Sequence, residues 1–108
     1  MSVGIIGGNV ASIRVLQASV NLGSVAANTT EEENATLAGV KVGDIVIGSK
    51  PSLEAGLIIA NPIRVIADGN LRITVGNFSG IAIDETTETW TFTVIRPETN
   101  YRTATLSV

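Results

Sequence analysis

A chain of 108 residues is the size of a single domain. Seven basic residues against ten acidic ones, for a net charge of −3, leave no clustered Lys and Arg to neutralise nucleic-acid phosphates. Cysteine and histidine are both absent, which excludes disulfides, thiolate and imidazole metal sites, and Ser-His-Asp or Cys-His catalysis.

The 12 Val, 13 Ile and 12 Thr make up a third of the chain. These β-branched side chains suit a pleated surface and slightly penalise a helix. Eleven Gly and eight Asn supply turns, and four aromatics leave the core to aliphatic side chains. No run of 18 apolar residues is present, so no membrane-spanning helix is expected. The first residues lack the basic start of a signal peptide, so assembly in a cytoplasm is expected.

In chain order, the first 22 residues carry two patterns. Ile13, Leu16 and Val20 have helical spacing, whereas Leu16, Ala18, Val20 and Leu22 alternate as a strand does, and composition favours the strand. Residues 29–34 (TTEEEN) are the most polar stretch and read as an exposed loop. Residues 34–39 are a weaker strand candidate. Residues 44–47 and 57–60 are short apolar runs bounded by Gly and Pro, and read as buried strands. Residues 63–75 read as a hairpin around Asp68, Gly69 and Asn70. A three-residue loop there pairs Ala67 with Leu71, Val65 with Ile73 and Ile63 with Val75. Residues 88–96 are the clearest strand, with Trp90, Phe92 and Val94 on one face and Thr89, Thr91 and Thr93 on the other, ended by Pro97. Residues 101–108 are a possible last strand. The sum is an all-β chain: one β-sandwich or small barrel of about six to eight mostly antiparallel strands.

Candidate chemistry is sparse. A glycine cluster at Gly4, Gly7 and Gly8 fails the dinucleotide fingerprint, because Asn9 and Ser12 stand where glycines are required. Asp84, Glu85 and Glu88 are the nearest thing to an acid/base group, and their polar surroundings read as a solvated loop. Glu31, Glu32 and Glu33 lack the alternating spacing and turn glycine of a calcium loop. Asn28, Asn34 and Asn77 begin glycosylation triplets that carry no weight without a secretory signal. Trp90 reads as core, its indole N–H bonded to a backbone acceptor. No catalytic, cofactor-binding or metal-binding residue is assigned, and no enzyme is expected.

From about Ala18 to Pro97 the chain resembles a family of small virion proteins of tailed bacteriophages. The resemblance rests on residues 24–33 (SVAANTTEEE), 39–46 (GVKVGDIV), 50–57 (KPSLEAGL), 81–84 (IAID) and 88–94 (ETWTFTV), in order and similarly spaced. It implies a capsid decoration (cement) protein: a compact β-domain, often a homotrimer, on the outside of the virion, bracing the major capsid protein lattice. The alternative that the resemblance leaves open is a head-fibre, tail or baseplate component. A receptor- or carbohydrate-binding β-domain is the competing class, for which Phe78, Tyr101 and Trp90 are the available aromatics. The resemblance brings no catalytic residue, cofactor, membrane or nucleic acid with it. Residues 1–17 and the tail from Glu98 fall outside it. The expected division is therefore an N-terminal segment, residues 1–17, and a β-sandwich domain, residues 18–108. The apolar side chains of residues 1–17 fit either an anchoring arm or the first strand of the domain.

Overall fold

In the computed structural model, which describes residues 10–98, nine strands and no helix form two facing layers. They are β1 (Val10–Val20), β2 (Gly23–Val25), β3 (Thr29–Thr36), β4 (Ile45–Ser49), β5 (Leu57–Ile59), β6 (Arg64–Ala67), β7 (Asn70–Asn77), β8 (Ile83–Glu85) and β9 (Glu88–Pro97). One sheet has the order β1-β9-β4, and the other has β7 at its centre, paired with β3, β5 and β6. β2 and β8 form a short ribbon, and every pairing is antiparallel. The all-β reading is met. The strands exceed eight because three of them are only three residues long.

Period-two alternation drives the layering. On β9 the buried residues are Trp90, Phe92 and Val94, all with no exposure, and the threonines between them face out. On β7 the buried residues are Leu71, Ile73 and Val75. These two rows face each other, with Val20, Val46 and Ile63 completing the middle of the core. Trp90 stacks on Phe92, ring centroids 6.0 Å apart. The indole N–H, expected to bond a backbone carbonyl, has no acceptor among the described residues. Burial of the ring outweighs that loss, since a whole aromatic face is removed from water for one hydrogen bond.

Residues 10–17 form the greater part of β1, which pairs with β9 from Val10↔Pro97 to Val20↔Glu88. The strand runs unbroken through Gln17 and Ala18, so the boundary expected after Gln17 falls inside it. Residues 1–9 and the expected strand at 101–108 lie outside the described residues.

The runs at 44–47 and 57–60, expected as buried strands, are half-exposed, with Ile45, Ile47 and Ile58 turned to solvent, and two further sequence readings need correction. Residues 29–34 are the body of β3, an edge strand, and not a loop. β7 is rich in apolar side chains and its backbone needs a partner on each side. Glu31, Glu33 and Ala35 pair with Val75, Ile73 and Leu71, turning two half-buried carboxylates toward the inner side. Inward charges of this kind guard an edge against further pairing. Burial, with the Glu31 carboxylate beside it, pushes the Glu33 carboxyl above its ordinary value.

The hairpin register also differs. The turn is the two-residue Asp68-Gly69, closing on Ala67↔Asn70, with Gly69 at φ +80°. A bulge at Ile66 then brings Val65 opposite Leu71 and Arg64 opposite Arg72. The bulge absorbs one residue and restores the apolar face that a plain two-residue turn inverts. The pairing stops at Arg64. Ile63 bonds across to Val46 of β4 instead (N···O 2.7 Å), joining the two sheets, and Ile59 takes the place opposite Val75.

Gly48 of β4 is packed tightly against its cross-strand partner Phe92 and against Ile63. A Cβ built there meets the Phe92 ring at 3.1 Å and Ile63 Cδ1 at 2.5 Å. Gly48→Val should overpack this point and cost about 1–3 kcal/mol. A chemical-denaturation midpoint unchanged by the substitution would refute the close approach.

Candidate functional site: a charge-free sheet face

The outward face of the β1-β9-β4 sheet is built in rows by the register. Ile13, Ile95 and Ile45 form one row, Val15, Thr93 and Ile47 the next, and Gln17, Thr91 and Ser49 the third. None of these residues is charged. Val15 is 67% exposed and Ile13 52%, with Ile45 and Ile47 close behind. The same alternation that sends Leu16, Phe92 and Val94 inward sends these residues out.

The opposite sheet shows what a solvated face looks like in this molecule. Outward on β3, β7 and β6 lie Glu32, Arg72 and Arg64, with Arg64 Nη2 2.6 Å from Glu32 Oε1 and Arg72 Nε donating to Asn34 Oδ1 at 3.1 Å. One face is laced with ions, and the other has none across three strands. A contiguous exposed apolar area without charge is the mark of a contact surface.

The titratable residues are organised for structure. Glu85 and Glu88, read from sequence as solvated, close on Lys50, whose side chain is 4% exposed. Lys50 Nζ donates to both carboxylates and to the Ser52 carbonyl, and Ser52 Oγ donates to Glu88 Oε2 at 2.5 Å. Asp84, the third member of the expected group, points outward on β8. Lys50 was not legible as a partner, since a lone Lys after a strand carries no pattern. A second lock joins Arg96 to Asp44 through two hydrogen bonds of 2.8 and 2.9 Å. Arg96 and Arg14 both donate to the Gly39 carbonyl. The Arg96 guanidinium holds the Asp44 carboxyl below the ordinary aspartate value.

A shallow cleft of about 300 Å³ beside this lock is lined by residues 41–44 and 96–98. Its Asp44 and Arg96 are engaged with each other. On β3 the Glu31 and Glu33 carboxylates lie side by side while Glu32 turns to the other face, so the three do not gather at one point. Among the described residues no group of three or more potential ligands gathers around a common point. Nor is any helix there long and apolar enough to cross a membrane. Asn77 is fully buried with its amide bonded, closed to glycosylation as it stands.

Compared with family models, curated proteins and solved structures, the chain matches none.

Proposed function

We propose that this chain is a bacteriophage virion structural protein, a decoration protein that binds the major capsid protein lattice from outside as an oligomer. The observation that carries the reading is the charge-free face of the β1-β9-β4 sheet. Its aliphatic rows suit permanent burial against protein and serve no chemistry. The resemblance of residues 18–97 to small phage virion proteins points the same way. A bracing protein needs a rigid fold and an adhesive surface, and it needs no titratable site.

Co-sedimentation with capsids that lack the protein tests this. The intact chain should pellet with them, and Val15→Lys should weaken binding roughly tenfold or more by placing a charge in a desolvated contact. A protein that never binds capsids and is found only on tails would end the decoration reading in favour of a tail or baseplate component.

A further inference from the structure

The outward face of the sheet centred on β7 carries a charge arrangement that the core does not explain. Arg64 of β6 stands directly opposite Arg72 of β7, and like charges in that position destabilise a sheet. The bulge at Ile66 fixes which positions meet, yet a neutral side chain at 64 would fit the same register. Glu32, reaching across from β3, serves both guanidiniums with one oxygen: its Oε1 lies 2.6 Å from Arg64 Nη2 and 3.7 Å from Arg72 Nε. Arg72 Nε also donates to Asn34 Oδ1 at 3.1 Å. Two arginines against one carboxylate leave a surplus positive charge, on a chain whose net charge is −3. The other N–H groups of both forks have no acceptor among the described residues. A second carboxylate would complete the cluster, because a guanidinium fork matches it with two parallel bonds.

Two outward positions further along β7 is Gly76, about 14 Å from Arg72 at ~3.4 Å per residue. The Phe78 ring rests over it, since a Cβ at Gly76 would come within 3.3 Å of the ring, and Phe78 is 63% exposed. Asn77, fully buried, holds this aromatic in place. Its Nδ2 donates to the Val25 carbonyl (3.0 Å) and the Ile81 carbonyl (2.9 Å), while its Oδ1 accepts from the Ser79 N–H (2.9 Å) and hydroxyl (2.7 Å). The Phe78 N–H adds a bond to Gly56 O at 2.8 Å. An aromatic side chain fixed before contact loses little entropy on binding. Between the ring and the arginines stand Thr74 and, opposite Gly76, Thr30, whose hydroxyls are bonded to no other described residue. The face thus offers, in one line, an apolar ring, two unused hydroxyls and a cation pair. Such a lining of one aromatic and a few placed polar groups is that of a small-ligand site.

We propose that this face binds a carboxylate-bearing saccharide, its acid clamped between Arg64 and Arg72 and a linked sugar ring packed on Phe78. Charge complementarity selects the acid: the surplus cation is met, and the repulsion between the two arginines is relieved, only by an anion. The span from the arginines to the ring selects an oligosaccharide over a lone anion, and the hydroxyls of Thr30 and Thr74 face the sugar hydroxyls between the two ends. A face that is wet in the free protein suits a hydrated ligand, since waters can bridge what direct contacts do not reach. The site lies on the sheet opposite the proposed capsid contact. It stays open when that contact is made, and it does not rest on that reading.

Titration of the isotope-labelled full chain with trigalacturonate and with sialyllactose, followed by NMR, tests the proposal. Amide shifts should gather at residues 30–34, 64 and 72–78 at millimolar saccharide. Lactose, which lacks the acid, should bind roughly tenfold or more weakly. Arg64→Gln and Phe78→Ser should each weaken binding of the acidic saccharides roughly tenfold. Both substitutions fall on exposed side chains, so circular dichroism and melting should stay near those of the parent. The absence of shifts on this face with both acidic saccharides overturns the proposal. So does lactose binding as tightly as sialyllactose, or an affinity unchanged in Arg64→Gln. Triglutamate supplies the acids without the sugar: if it binds as tightly as trigalacturonate and Phe78→Ser changes neither, the face is a general anion patch and the saccharide reading falls. Both variants should still pellet with capsids, so failure here and failure of the capsid reading are read separately.

Discussion

Trp90→Ala should lower the thermal midpoint by roughly 15–25 °C. Trp90 has no exposed surface and sits at the centre of β9, against Phe92 and opposite Ala18 of β1. A small side chain leaves a cavity that the surrounding strands cannot close, because β9 is bonded on both sides. Truncation of a buried Trp costs about 3–5 kcal/mol, and a domain near 100 residues loses about 4–8 °C per kcal/mol. Trp90→Phe should cost far less, since it keeps most of the volume and loses no hydrogen bond among the described residues. Thr91→Ala, one residue away on the outward face, should change stability by no more than about 0.5 kcal/mol. Differential scanning calorimetry on the three variants separates these cases. A Trp90→Ala midpoint equal to the parent's would place the indole outside the core.

The strand holding Trp90 was legible because alternation of large apolar residues with threonine admits one reading. β3 was not. Its threonines and glutamates carry no apolar signal, and it is a strand only because β7 beside it needs a ladder partner. That requirement is tertiary and leaves no local trace. The hairpin failed for a related reason: Asp68-Gly69-Asn70 announces a turn, yet two loop lengths fit it, and the bulge at Ile66 is chosen by the core. β1 lies between these cases. Its helical and strand patterns coexist in the letters, and pairing with β9 decides. The charge-free face follows from that decision, because Ile13 and Val15 join Thr93 and Ile47 only once β1, β9 and β4 are aligned. Lys50 and the loop at Asn77 depend on contacts across 35 or more and 52 residues, which no spacing rule reaches.

Lys50→Met should destabilise the fold by about 3 kcal/mol and blunt its response to acid. The Lys50 ammonium is buried between Glu85 and Glu88, and removing it leaves two carboxylates facing each other without a counter-charge. Hydrogen bonds from Lys50, then from Ser52, hold the Glu88 carboxyl below its ordinary value. Asp44 is lowered in the same sense by Arg96. A carboxylate with a lowered folded-state pKa contributes stability that is present above its unfolded value, near 4.5 for Glu, and is lost as pH falls through the folded one. Burial works against the charge on Lys50, yet its bonds to the two glutamates carry its pKa above the ordinary lysine value. That contribution is complete below about 10.5 and lost as pH rises through the folded value. The parent should therefore be most stable between about pH 5 and 10 and weaken on both sides. In Lys50→Met the alkaline loss assigned to this lysine should vanish. On the acid side the variant should recover ground relative to the parent, because protonating Glu88 relieves the repulsion between the two carboxylates. Urea midpoints measured from pH 3 to 11 for both proteins would show the two curves converging toward low pH. Parallel curves across the whole range would mean that Lys50 is not paired with these carboxylates in the folded protein.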